Sequence, residues 1–293
     1  MQPAAESGGV RDQALTLPRP GGTRAARGLP GPPFGANLLR EALDVASTAA
    51  LEAGEAIRRF YRDSYTIKEK GGDNPLTDAD LASNEILLGR LTSHFPEFGW
   101  LSEESVDDAE RLEREAVWIV DPLDGTKEFT LGIPEFVVSV GLVVKGRAVL
   151  GVLYNPITEE LFAGAEGLGV TFNRVATRVS THATLDGARI VCSRTEMKKG
   201  WFDQYLDRVK LVPTGSVAYK FGLVAVGRAE ATFTPQPRHE WDICAGVALV
   251  NAAGGRATNR HGHDYVFNLP KPLVDGVAAT NGALHGEVLG LMG

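Results

Sequence analysis

The stretch Trp118 to Thr130, WIVDPLDGTKEFT, constrains the fold more than any other part of the chain. An apolar run suited to a buried strand ends in two aspartates three residues apart, and a Gly-Thr pair follows at once. Carboxylates are seldom buried, and loop solvation is the ordinary explanation for acids at a strand end. Three details point elsewhere. Pro122 holds Asp121 extended, Gly125 lets backbone approach a ligand closely, and Thr126 adds a hydroxyl and an N–H beside both acids. Such a strand end offers oxygen ligands to a hard cation and N–H donors to an anion.

The flanking pattern supplies the rest of a sheet and its cover. Phe136 to Val144 (FVVSVGLVV) and Ala148 to Tyr154 (AVLGVLY), joined through Lys145 and Gly146, predict a hairpin, and Leu161 to Ala163 predicts a further strand. From Ala36, LLREALDVASTAALEAGEAIRRFY spaces its apolar residues at three and four, as an amphipathic helix does. After the Gly-rich break KGGDNP, Leu76 to Leu91 predicts a second helix, opened by Thr77 with Asp80 at its third position. From about Ala188 strands and helices alternate: ARIVCS, a helix around Trp201 to Val209, a helix opened by Ser216 and running to Val226, the strand ATFTP, and a helix from Trp241 to Ala252 ended by Gly254 and Gly255. The expected class is α/β, with an α+β N-terminal half over 36–165 and an α/β C-terminal half over 166–293, packed together around a cleft.

Residues 1–35 differ in composition, with Gly, Pro and Ala, scattered Arg and almost no periodic apolar residues. They read as a disordered extension, with an organelle transit peptide as the alternative. The remainder is hydrophobic enough for a large core, at 43% of the 293 residues overall. A net charge of −7, with no dense Lys/Arg block, argues against a nucleic-acid polymer as partner. Cys192 and Cys244 are far apart and form no CxxC pattern, so a disulfide framework or thiolate zinc site is not expected and a reducing compartment fits. No apolar run approaches the ~20 residues of a membrane helix. The expectation is a soluble, cytoplasmic protein.

Two rival motifs fail at the aspartate pair. An EF-hand loop counted from Asp121 would need a glutamate at its twelfth residue, which is Gly132. An aspartyl-phosphate enzyme of the haloacid dehalogenase type would carry its acids two apart, not three. Other acids sit in comparable settings: Glu103 and Glu104 in GWLSEES, Asp80 at capping-box spacing from Thr77, and Asp242 at a helix start, where an acid favours the dipole. His261 to His263 (HGH) suggests a metal pair but lies in a Gly-rich turn without further ligands.

In this order and at these intervals, DNPLTDAD, LSEES, WIVDPLDGT and WDICAGVALVNAAGG resemble the signature set of the inositol monophosphatase superfamily, over about residues 38 to 290. The resemblance implies a layered αβαβα sandwich of the sugar-phosphatase type. It also implies direct hydrolysis of a phosphomonoester by water, with two or three Mg²⁺ ions as cofactor and Li⁺ as inhibitor. The implied metal ligands are Glu103, Asp121, Asp124, Asp242 and the main-chain carbonyl of Leu123, most of them in the N-terminal half. The implied catalytic residues are Asp80, Thr126 and Glu103: Asp80 accepts a hydrogen bond from the Thr126 hydroxyl, which orients the attacking water, and Glu103 contacts the same water. Gly125 and Thr126 would present N–H groups to the phosphate.

For the substrate, KEF (Lys127, Glu128, Phe129) and TGSVAYKFGLVAVGRAEATF resemble the 3′(2′),5′-bisphosphate nucleotidase branch. On that resemblance Gly125, Thr126, Lys127, Gly215, Ser216 and Lys220 bind substrate, and 3′-phosphoadenosine 5′-phosphate is hydrolysed to AMP and phosphate. Inositol 1-phosphate and fructose 1,6-bisphosphate stay open. The spacing from Ser216 to Lys220 is nearer the inositol phosphatase register, whereas the glutamate that contacts the inositol ring would fall at Pro235. A catalytically silent binding relative is a further reading, opposed by the intact set Asp80, Glu103, Asp121, Asp124, Thr126 and Asp242. The expected partner is a small-molecule phosphate ester, with neither a nucleic-acid polymer nor a membrane. The superfamily is often dimeric, so a homodimer is an expectation, although no stretch of sequence marks its interface.

Overall fold

The computed structural model describes Met1 and residues 35–69, 75–205 and 207–292. The tail expected over 1–35 and the KGGDNP break, with Asp73 and Asn74, fall almost wholly outside these residues.

A seven-stranded sheet carries the hairpin and the aspartate pair. Its strands are β1 (Gly99–Ser102), β2 (Ala116–Asp124), β3 (Val137–Val144), β4 (Arg147–Asn155), β5 (Glu160–Ala165), β6 (Gly169–Phe172) and β7 (Val175–Thr177), in that order across the sheet. β1 and β2 are parallel, and every later pair is antiparallel. Strand β2 is buried along its whole length and packs on both faces. Trp118 and Val120 join a core with Leu39, Ile57 and Leu87, while Val117 and Ile119 join Phe221, Ile243 and Leu249 on the other side. A strand apolar at consecutive positions can be buried only in this way. Lys145 and Gly146 both have positive φ, 49° and 78°, the geometry that matches the twist of a two-residue hairpin.

Helices α1 (Ala36–Phe60) and α2 (Asp78–His94) cover the first face. The buried side of α1 is an alanine-rich stripe, Ala42, Ala46, Ala49, Ala50 and Ala53, whose small side chains let it lie close against α2 and the sheet. The second face takes α5 (Val217–Ala225) and α6 (Glu240–Ala252), with α3 (Thr126–Thr130) and α4 (Arg194–Lys198) as short intervening turns. A helix buried on all sides needs apolar residues all round, and α6 is continuously buried from Ile243 to Val250. It lies directly on the sheet: a Cβ at Gly151 would run into the Ala245 carbonyl.

Beneath α5 and α6 is a five-stranded sheet of β8 (Arg189–Cys192), β9 (Lys210–Pro213), β10 (Ala231–Thr234), β11 (Arg256–Thr258) and β12 (Val277–Thr280), ordered β9-β8-β10-β12-β11. β8 runs parallel to β9 and β10, while β12 is antiparallel to both its neighbours. Helix α7 (His285–Gly290) closes the stack through a third core with Ile190, Phe233, Leu284 and Val288. The layers are therefore α, β, α, β, α, as expected, with mixed sheets. No helix among the described residues is long and apolar enough to cross a membrane.

Two expectations need correction, and one helix was not expected. The strand expected at Trp118 to Val120 extends to Asp124, so both aspartates belong to β2. The α-helix expected around Trp201 to Val209 is absent among the described residues of that segment, where a single 3₁₀ turn covers Asp203–Tyr205. An unanticipated helix, α4, precedes it, opened by Ser193, whose hydroxyl accepts from Glu196 N. Gly200, at φ 74°, ends that turn, and Phe202 drops into the third core without helical continuation. The Ser-x-x-Glu pattern of SRTE was the readable signal.

Candidate active site

Parallel pairing of β1 and β2 sets Ser102 opposite Val120, so the next residues, Glu103 and Asp121, stand side by side where that pairing ends. Glu103 N donates to Val120 O at 3.2 Å and pins that end. Beyond Asp121 the ladder to β3 slips: Asp121 faces Ser139 and Asp124 faces Val137, so three steps on β2 match two on β3. Pro122 has no N–H to give, and its carbonyl instead accepts from Ser83 Oγ at 2.7 Å. Leu123 N turns back to Asp121 Oδ1 at 3.0 Å. The bulge thereby separates the two carboxylates and brings both to the edge of a cavity.

Helix starts supply the remaining groups. Thr126 opens α3 after Gly125 (φ 102°), and its hydroxyl lies 3.0 Å from Asp80 Oδ1 and 3.1 Å from Leu123 O. Asp80 Oδ2 caps α2, accepting from Thr77 N at 2.8 Å and Thr77 Oγ1 at 2.5 Å. Capping and contact with Thr126 therefore use different oxygens of one carboxylate. Asp242, in the first turn of α6, accepts from His239 N at 3.1 Å and faces the sheet end because α6 packs flat against it.

One oxygen from each of Glu103, Asp121 and Asp242 lies within 4.8 Å of the others. They wall a cavity of about 250 Å³ together with Leu123, Asp124, Gly125, Thr126, Lys127, Glu128, His239 and Trp241. Burial pushes the carboxyl of Asp121 well above the usual aspartate range, and Glu103, Asp124, Asp242 and Asp80 add like-charge repulsion. Asp242 is raised well by burial and then by Asp124 and Glu103. Asp124 rises to about 6 through burial, restrained by hydrogen bonds from Ser216 and Ala218 N and by the charge of Lys220. Asp80 is raised by burial, against the hydrogen bonds from Thr77 and Thr126. A group of buried and half-buried carboxylates that repel one another suits a hard divalent cation, which takes carboxylate and carbonyl oxygens and reverses this repulsion.

Not every expected substrate residue reaches the cavity. Lys127 is on its wall, but Gly215, Ser216 and Lys220 are not. The Ser216 hydroxyl donates to Asp124 Oδ2, which also accepts from Ala218 N at 2.5 Å. Lys220 is buried, with its ammonium 2.6 Å from Ser216 O and 3.4 Å from Thr214 O. His261 pairs with Asp275 at 3.0 Å on the surface, away from the acidic cluster. The stacking of His239 on Trp241, at 4.4 Å with planes 2° apart, was not legible in the sequence. The sequence reading overlooked Glu135, bonded to Arg194 and to Gly215 N. A glutamate directly before the apolar run FVVSVGLVV was the available clue.

The chain matches the profile of the inositol monophosphatase family over residues 38–292. It belongs to that family. Inositol monophosphatase 2 of Solanum lycopersicum is 34% identical over 258 residues, covering 84% of this chain and 96% of the relative. The Nus factor SuhB of Escherichia coli K12 is 32% identical over 236 residues, covering 77% and 88%. Among solved structures, inositol monophosphatase from Anabaena (Nostoc) sp. PCC 7120 superposes with a TM-score of 0.73 at 30% identity, covering 87% of this chain and 96% of that one. Inositol monophosphatase family proteins are Mg²⁺-dependent phosphatases of small phosphate esters. The acidic cluster stands where such a metal can be held.

Proposed function

We propose that the chain hydrolyses a small phosphomonoester with Mg²⁺ as cofactor, and that Glu103, Asp121, Asp124, Asp242 and the Leu123 carbonyl hold the metal. The observation that carries this reading is the convergence of Glu103, Asp121 and Asp242 in the cavity that Thr126 also lines. When bound, Mg²⁺ neutralises charge on the transferred phosphoryl group and makes water a stronger acid. The chain's own residues orient the reactants. Thr126 Oγ1, with its proton directed to Asp80 Oδ1, presents a lone pair to the cavity and fixes the attacking water by accepting one of its hydrogens. As the water gives a proton to Thr126 Oγ1, the Thr126 proton passes to Asp80 Oδ1 behind it, and Glu103, on the cavity wall, is a second acceptor. N–H groups at Gly125 and Thr126 receive the phosphate oxygens. Water displaces the ester oxygen directly, and that oxygen takes a proton from solvent as it leaves, giving alcohol and inorganic phosphate without a phosphoenzyme.

For the ester, 3′-phosphoadenosine 5′-phosphate is the first reading. Lys127 and Glu128 line the cavity, and the His239–Trp241 stack offers a flat face suited to a purine. Inositol 1-phosphate is the second, favoured by the tomato and Anabaena relatives and by the position of Lys220 off the cavity wall. The halves 36–165 and 166–293, a homodimer and a cytoplasmic location belong to the same proposal. The test is phosphate release from both esters and from fructose 1,6-bisphosphate, compared by kcat/KM with Mg²⁺, with EDTA and with added Li⁺. Mg²⁺-dependent, Li⁺-sensitive turnover led by the nucleotide is expected. No release from any ester by folded protein would sink the enzyme reading, and a lead for inositol 1-phosphate would replace the first substrate with the second.

A further inference from the structure

Asp124 is oriented from a segment far away in sequence. Its Oδ2 accepts from the Ser216 hydroxyl and from Ala218 N, both at the start of α5. Ser216 makes that reach with φ 56° and ψ 132°, a backbone state that is strained for a residue with a side chain and persists only when its surroundings hold it. The turn Thr214–Ser216 must therefore be clamped. On one side, the Lys220 ammonium donates to Ser216 O and Thr214 O. On the other, Glu135 Oε2 accepts from Gly215 N at 2.6 Å. Arg194 forks onto the same carboxylate, with Nη2 2.8 Å from Oε1 and Nη1 on Oε2. Gly215 leaves no room for a Cβ, because the Glu128 side chain lies against it.

We propose that Glu135 is a positioning residue for Asp124, acting through the Gly215–Ser216 turn. Glu135 abuts both ends of the link. Its carboxylate holds the residue before Ser216, and its own carbonyl is packed 3.0 Å from where a Cβ would stand on Gly125, the residue after Asp124. Arg194, from the start of α4, fixes the carboxylate and ties β8 to the loop before β3. Glu135 does not line the cavity, so its effect passes through Ser216 to the Asp124 carboxylate and is read as metal affinity. The proposal rests on the reading that Asp124 serves the metal.

The experiment titrates Mg²⁺ in two ways on the full chain: by the rise in Tm and by phosphate release. Glu135→Ala is expected to weaken Mg²⁺ half-saturation about tenfold in both, as loss of an outer support does. At saturating Mg²⁺, kcat is expected to stay within about threefold of wild type, because the reacting groups are unchanged. Glu135→Gln keeps the length and one acceptor for Gly215 N, so it is expected to lie within about threefold of wild type on Mg²⁺ half-saturation. Glu135→Asp keeps the charge but is one methylene too short, and is expected to behave like Glu135→Ala; it also serves if the alanine variant does not fold. Glu135→Ala combined with Ser216→Ala is expected to be no weaker than the worse single variant, since both break one link. Glu230→Gln, at the opposite end of the five-stranded sheet, controls for stability and is expected to lower Tm without moving Mg²⁺ half-saturation. Folded Glu135→Ala or Glu135→Asp with wild-type Mg²⁺ half-saturation overturns the proposal, as does a double variant whose losses multiply. Wild-type protein without any Mg²⁺-dependent rise in Tm, or Asp124→Asn with an unchanged rise, instead overturns the metal reading itself.

Discussion

Glu230 and Asp121 are buried alike, 3% and 2% exposed, yet their acidities move in opposite directions. Burial alone would raise both. Glu230 is held below the usual glutamate range because Arg189 meets it with three N–H groups, its backbone N at 2.6 Å, Nε at 3.1 Å and Nη2 at 2.6 Å. Among the described residues the Asp121 carboxylate has one hydrogen bond, from Leu123 N, and four carboxylates act on it. A buried acid paired in this way stabilises its surroundings, whereas a buried acid among acids costs stability until something outside the chain compensates it. The two belong to different sheets, Glu230 beside the five-stranded one and Asp121 in the seven-stranded one. Glu230 is where β10 begins, and Asp121 is near the end of β2. Position in a strand does not separate structural from functional carboxylates here; the partners do.

The strongest way to break this comparison is Asp124→Asn, which removes a charge without changing volume. Turnover is expected to fall about 100-fold or more, equivalent to losing roughly 3 kcal/mol of transition-state stabilisation. The far-UV spectrum should stay native, and near-wild-type phosphate release by the folded variant would remove Asp124 from the metal site. Glu230→Gln tests the other member. Loss of its charge-assisted bonds is expected to cost about 1–2 kcal/mol, or about 2–8 °C in Tm, with kcat/KM unchanged; an unchanged Tm would deny it a structural role.

Metal dependence sharpens the contrast with a smaller effect. Asp80, Asp121, Asp124 and Asp242 have folded pKa values above the free aspartate value of about 3.9. Their contribution to stability is therefore fully present below that value and is lost as pH rises through the folded values, about 6 for Asp124. Glu230 and Glu135 are lowered, so their contribution is present above about 4.3 and is lost as pH falls through their folded values. In EDTA, chemical denaturation is expected to show stability declining from about pH 4 to above pH 6, and saturating Mg²⁺ should remove that decline. Identical profiles with and without Mg²⁺ would count against a cation at the cluster. The smallest effect is a gain: metal-free Asp121→Asn is expected to be more stable than metal-free wild type by about 1 kcal/mol at pH 7, because one repelling charge is gone. A lower Tm in EDTA would mean that the charge on Asp121 strengthens its bond from Leu123 N by more than it costs in repulsion.

Local chemistry explains which parts were legible. The hairpin, α1 and α6 declare themselves by period and by turn residues, and the Asp-Pro-Leu-Asp-Gly-Thr strand end concentrates oxygen donors that a buried strand has no other reason to carry. The helix expected over 201–209 failed because its apolar spacing served a single 3₁₀ turn packed into the third core, a choice made by the neighbouring sheet. Lys220 illustrates the same limit. On the sequence it is a basic residue one turn into a helix, equally suited to substrate or solvent, and only the turn folded back over it shows its ammonium on the carbonyls of Thr214 and Ser216.

What the sequence by itself supplied was therefore a set of candidate donors, Asp80, Glu103, Asp121, Asp124, Thr126 and Asp242, ambiguous one by one and gathered into a set by the resemblance to the family. Tertiary structure decided which of them share a cavity. Glu103 meets Asp121 because β1 and β2 pair in parallel register, and Asp242 joins them because α6 lies flat on the seven-stranded sheet. Ser216 reaches Asp124 across 92 residues only because Glu135, Arg194 and Lys220 hold its turn. Residue chemistry is local and survives in the order of letters, whereas distance between carboxylates is a property of packing, which no short stretch of chain contains.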